Sequence, residues 1–210
     1  MNIRDILGLV PVIPMLTIAD AAHAVPLARA LAAGGLRVLE ISLGTPTALA
    51  AVEAVRKAVP EAIVGVDTLT RPVDFAAAGR AGAQFGVTPG MTPELAAAAR
   101  GARFPVLPGV MTPSEILTAR QAGFEVLRFF PALAAGGAAM LQALSAPFSE
   151  LLFCPAGDIT RAAASGYLAL PNVLCVGGSW LAPADLRESA DWAGVEALAR
   201  DAATLKSSHR

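Results

Sequence analysis

Leu36-Arg37-Val38-Leu39-Glu40-Ile41-Ser42 is the stretch on which the fold turns. It is short and mostly apolar, without clean polar alternation, and it carries Glu40 near its end. A strand of this kind is buried on both faces, as the strands of a parallel sheet are. Gly34-Gly35 stands just before it, where a helix should stop. After it comes Thr47–Val59, a segment of the length that a βαβ crossover requires.

Working outward, the same unit recurs. Val10–Thr17 reads as a first strand, with a helix near Asp20–Gly34. Ala62–Val66 and Ala83–Val87 read as strands three and four. Phe104–Leu107, Phe124–Phe129, Glu150–Cys154 and Val173–Val176 supply four more, which makes eight. Gly82, Gly101 and Gly123 fall where helices should stop, and Asp20, Thr112 and Thr160 are placed to cap helix starts. No linker, charge run or low-complexity block divides the 210 residues, so one domain over 1–210 is expected. Eight such units in that length suit an α/β fold of the compact (β/α)₈ TIM-barrel type. A doubly wound open sheet is the rival. The first strand is not followed by a Gly-x-Gly-x-x-Gly turn, which counts against a dinucleotide-binding version.

Hydrophobic residues make up 55% of the chain and charged residues 16%, the composition of a globular protein. A formal net charge of −1 gives no reason to expect nucleic acid or an anionic membrane as partner. No apolar run approaches the roughly 20 residues of a membrane span. The start, Met1-Asn2-Ile3-Arg4-Asp5, lacks the marks of a signal peptide, so a cytoplasmic location is expected. Cys154 and Cys175 sit in apolar runs and read as reduced core residues. His23 and His209 suggest no role.

Barrel active sites gather at the C-terminal ends of the strands. The polar residues there are Glu40, Asp67-Thr68, Arg128, Gly157-Asp158 and Gly177-Gly178-Ser179. Glycines before a helix let backbone N–H groups approach an anion, which suits phosphate in the last two segments. Buried charges such as Glu40 and Arg128 are costly unless paired. They are either a structural ion pair or residues of a pocket mouth.

At Pro11-Val12-Ile13-Pro14, Gly35–Glu40, Thr88-Pro89-Gly90, Phe129-Phe130-Pro131-Ala132, Phe153-Cys154-Pro155 and Gly177-Gly178-Ser179-Trp180 the chain resembles the 2-keto-3-deoxy-6-phosphogluconate (KDPG) aldolase family. These are class I pyruvate aldolases. The resemblance implies a homotrimer of (β/α)₈ barrels, each with an extra N-terminal helix. It implies cleavage of a phosphorylated keto acid into pyruvate and glyceraldehyde 3-phosphate without metal or other cofactor. It makes position 128 the Schiff-base lysine and Glu40 the acid/base that works through a water. Thr68 is then near the pyruvyl group, Pro89 contacts substrate, and Gly157, Asp158, Gly178 and Ser179 lie at the phosphate.

The departures concentrate in these segments. Arg128 stands at the lysine position, and a guanidinium stays protonated and cannot form an imine. Gly44 replaces an arginine clamp, Asp67 replaces a glycine, Ala156 and Asp158 replace Thr and Gly, and Leu133 replaces an acid. Met15 and Met111 are bulky for strand ends. Native imine chemistry is therefore expected to be absent or very low. The alternative is a pocket remodelled by selection or by design, in which Glu40, Asp67 and Asp158 act as carboxylate bases or bind a ligand. Metal binding by those carboxylates and a silent scaffold are further readings. The remodelling reading requires Gly44, Asp67, Arg128, Leu133 and Asp158 to share one cavity.

Overall fold

The computed structural model describes residues 1–209. A short helix, α1 (Ile3–Leu7), leads into β1 (Val12–Leu16). Helix α2 (Ala24–Ala33) is preceded by a 3₁₀ turn that Asp20 caps, and it leads to β2 (Val38–Ser42). Then follow α3 (Ala48–Ala58), β3 (Ile63–Asp67), α4 (Pro72–Arg80), β4 (Phe85–Val87) and α5 (Pro93–Gly101). Strands β5 (Val106–Leu107) and β6 (Gly109–Val110) precede α6 (Pro113–Gln121), β7 (Val126–Phe129), α7 (Gly137–Leu144) and β8 (Leu152–Pro155). Helix α8 (Arg161–Leu168), β9 (Val176–Gly178), α9 (Ala184–Glu188) and α10 (Trp192–Ala203) complete the order.

The pairings between these strands are all parallel, in the orders β5-β4-β3-β2-β1-β9 and β6-β7-β8. The result is an α/β fold with a curled parallel sheet. The helices bury stripes at i, i+3 and i+4 spacing, such as Ala48, Ala51, Val52 and Val55 of α3. Thr112 and Thr160 cap α6 and α8 as their positions suggest.

Most strand limits lie within a residue or two of the sequence reading, and two strands differ in kind. The fifth strand does not end at Leu107. It continues beyond Pro108, which has no N–H for the ladder and so divides it into β5 and β6. The Pro108 carbonyl still accepts from Arg128 N, at 2.8 Å. The eighth strand pairs regularly only from Val176. Before that, Val173 meets β8 through an isolated bridge to Phe153, and Leu174 N donates to Phe153 O at 2.9 Å. The segment thus changes partner midway, from β8 to β1. It then runs through Gly177 and Gly178, residues that propensity alone keeps out of strands.

Inside the curl, side chains fill space that glycines leave open. A Cβ on Gly65 would lie 2.3 Å from the ring of Phe85, so the fully buried Phe85 depends on that position being glycine. Gly65→Ala is therefore expected to destabilise the chain by about 1–3 kcal/mol. The check is a lower urea midpoint with unchanged slope. An unchanged midpoint would mean that the ring moves aside without cost.

Candidate active site

Glu40 lies on β2 between Met15 of β1 and Gly65 of β3 in the strand register. It is fully buried, so its carboxylate must find a partner inside the protein. Arg128 of β7 supplies it: Nη2 donates to Glu40 Oε1, and both side chains are essentially without solvent. The guanidinium passes beside Met15 Sδ, 3.9 Å from Nη1. It has room because residue 177 is glycine; a Cβ there would lie 2.6 Å from Nη1. Glu40 Oε2 and Arg128 Nε, both buried, have no hydrogen-bond partner among the described protein atoms.

Glu40 and Arg128 line a small cavity of about 70 Å³ together with Asp67, Thr68 and Pro89. Asp67 ends β3, and Thr68 follows it at φ 64°, a left-handed conformation uncommon for a β-branched residue. That turn directs the Thr68 hydroxyl to Asp67 Oδ1 and to Ser42 Oγ, 3.1 Å away. Met15, Val87, Thr88 and Phe130 complete the lining. Of these four the sequence reading marked only Met15, as bulky for a strand end. Thr88 and Phe130 lay in plain sight in conspicuous motifs, but nothing in a motif says which way a side chain points. A larger cavity, about 650 Å³, lies between α4 and α5 among Pro72, Phe75, Arg80 and Arg103. It contains no carboxylate, so its size does not make it the reactive centre.

The remaining expected site residues are not in the cavity. After β8, Gly157 at φ 105° and Asp158 at φ 54° take successive left-handed conformations and turn the chain outward, which leaves Asp158 exposed. Gly178 is buried beside the Trp180 ring, and Ser179 is exposed after it. Gly44 and Leu133 are also exposed. The expectation that five altered positions share one cavity is thereby corrected: of the five, only Asp67 and Arg128 line it. The three-carboxylate cluster becomes two, Glu40 and Asp67. Among the described residues, no three His, Cys, Asp or Glu side chains gather as a metal-binding group.

Burial dominates the electrostatics of Glu40. It pushes the carboxyl from an ordinary 4.5 to about 7 against the pull of Arg128, with Asp67 adding to the rise. For Arg128, burial works against the charge. The Cys154 sulfur and the Glu40 carboxylate outweigh it and hold the pKa above the usual arginine value. Glu40 is thus a carboxyl near half-ionisation at neutral pH, beside a permanent cation.

This arrangement has relatives. Residues 3–198 match the family model described as KDPG and KHG aldolase. The chain belongs to the KDPG and KHG aldolase family. The KHG/KDPG aldolase of Escherichia coli K12 is 47% identical over 199 residues, which is 95% of this chain and 93% of that protein. The KDPG aldolase of Zymomonas mobilis superposes with a TM-score of 0.95 at 40% identity, covering all of both chains. That of Legionella pneumophila, captured with pyruvate as a covalent carbinolamine, gives a TM-score of 0.95 at 38% identity over 97% of this chain and 99% of its own. A lyase fold of the KDPG aldolase type therefore underlies the cavity. No described helix is long and apolar enough to cross a membrane.

The raised Glu40 carboxyl has a consequence for stability. The folded state holds this proton more tightly than the unfolded chain does, so stability falls as pH rises from about 4.5 to about 7 and is flat above. Relative to Glu40→Gln, the wild-type chain should lose up to about 3 kcal/mol across that window. Paired urea titrations at both pH values measure it, and parallel curves for the two proteins would contradict it.

Proposed function

We propose that this chain keeps the pocket of its family but not the family's imine chemistry, because Arg128 stands where the resemblance puts the Schiff-base lysine. The observation that carries this reading is the Arg128–Glu40 pair in the cavity. A carbinolamine like that of the Legionella protein needs an unprotonated amine to attack a ketone. A guanidinium, with a pKa above about 12, does not supply one. The chain's lysines, Lys57 and Lys206, are both exposed, Lys57 in the last turn of α3 and Lys206 beyond α10.

The finer reading of the molecule follows the same ancestry. The described strands are parts of one (β/α)₈ barrel, a single domain over 1–210, with α1 as an extra N-terminal helix. Supporting closure, the chain is continuous from β5 through Pro108 to β6, and the 173–178 segment touches both β8 and β1. The protein is a cytoplasmic homotrimer that accepts a small phosphorylated keto acid. Thr68 and Pro89 contact its keto-acid end, and Gly157, Asp158, Gly178 and Ser179 rim its phosphate end.

A second reading rests on the near-neutral Glu40 carboxyl. Glu40, with Asp67 beside it, abstracts a proton from an activated carbon acid, and Arg128 steadies the developing anion. Turnover that Glu40→Gln and Asp67→Asn both leave unchanged would sink that reading.

Borohydride reduction in the presence of pyruvate decides the first reading. The wild-type mass should stay unchanged, and KDPG cleavage should be absent or very low. Arg128→Lys should gain a pyruvyl adduct. A wild-type adduct would overturn the reading.

A further inference from the structure

The two cysteines meet in the sheet behind Arg128. Cys154 lies on β8 and Cys175 one residue before β9, and both are fully buried and free. The Phe153–Val173 bridge and the Leu174 N to Phe153 O bond bring their strands together. Cys175 Sγ donates to Cys154 Sγ at 3.3 Å. On its other side Cys154 is the register partner of Arg128. A dithiol thus sits under a fixed guanidinium, and the pocket chemistry above makes no use of it.

We propose that Cys154 and Cys175 are a peroxide-oxidisable pair, joined by oxidation as an intramolecular disulfide that links β8 to the last strand. The two sulfurs have distinct roles. Burial opposes a thiolate at Cys154, but the Cys175 S–H and the Arg128 guanidinium favour one and bring its pKa below the ordinary thiol value. Burial, together with the neighbouring Cys154, holds Cys175 protonated. Cys154 is therefore the attacking sulfur and Cys175 the resolving one.

The chemistry balances with hydrogen peroxide as oxidant. The Cys154 thiolate attacks one peroxide oxygen, the O–O bond breaks, and hydroxide leaves a sulfenic acid behind. That hydroxide takes the Cys175 proton and becomes water. The Cys175 thiolate then attacks the Cys154 sulfur, the S–S bond forms, and the S–O bond breaks. The second hydroxide recombines with the proton that Cys154 gave up. Two thiols lose two electrons, and one peroxide becomes two waters. The sulfurs stand 3.3 Å apart, and the S–S bond brings them to about 2.0 Å. The oxidant is small, and the cavity lined by Arg128, the register partner of Cys154, has room for it.

The test treats the folded full-length protein with hydrogen peroxide, then alkylates it under denaturing conditions. Both thiols should label before treatment and neither after it. The intact mass should fall by two hydrogens, a Cys154–Cys175 peptide should appear on digestion, and dithiothreitol should restore both labels. In Cys175→Ser, Cys154 should stop at a sulfenic acid that dimedone traps. In Cys154→Ser, Cys175 should stay alkylatable. Thiols that still label after peroxide, bridges only between chains, or oxidation past the sulfenic acid with no disulfide would each overturn the proposal. If either serine variant fails to fold, the wild-type thiol count and peptide map still decide it.

Discussion

A guanidinium and a carboxylate, both taken almost wholly out of water, meet inside the curl of the sheet, and the site is organised around that pair. Neither charge could be there alone. An isolated buried ion costs several kcal/mol, and only a close partner offsets it. Arg128 and Glu40 are 88 positions apart in the chain, so the pair requires strands from distant segments to be curled toward each other. The offset is incomplete. Glu40 Oε2 and Arg128 Nε find no partner among the protein's own groups, and Glu40 remains easy to protonate. A pair formed only for stability gains from satisfying every polar atom, whereas a pocket keeps some of them for a ligand.

Small residues make the pair possible. Gly177 clears the space for Nη1, and Gly65 clears the space for Phe85, which fills the interior near Glu40. Met15 closes the guanidinium from the side with a soft sulfur contact. The remaining cavity is correspondingly small. Two much larger cavities are lined by neither Glu40 nor Asp67. Position at the strand ends, and not volume, marks the reactive place in this fold.

Membership of the KDPG and KHG aldolase family and the proposed loss of the family's imine step are compatible. The fold is carried by dozens of buried aliphatic contacts spread along the chain. The covalent step depends on one amine. Under the proposed reading, Arg128 leaves the former almost untouched and withholds the latter, so nearly half-identical relatives do not by themselves transfer an activity.

The sequence by itself determined the parallel α/β class, most element positions and the family. Those are encoded locally, in doubly buried strands such as Leu36–Ser42 and in caps such as Thr112 and Thr160. It also singled out Glu40, Arg128, Asp67 and Thr68, because polar residues stand out where apolar strands end, and Pro89 through the family resemblance. The tertiary structure alone decided which of the candidates meet. Asp67 turns into the cavity while Asp158 turns out, because two left-handed residues reverse the chain after β8. It decided that Met15, Thr88 and Phe130 are lining residues, and that Pro108 divides a strand without ending it. It also decided that Cys154 and Cys175 touch. In each case the deciding quantity is the direction of a side chain across strands far apart in sequence, and local spacing carries no record of that.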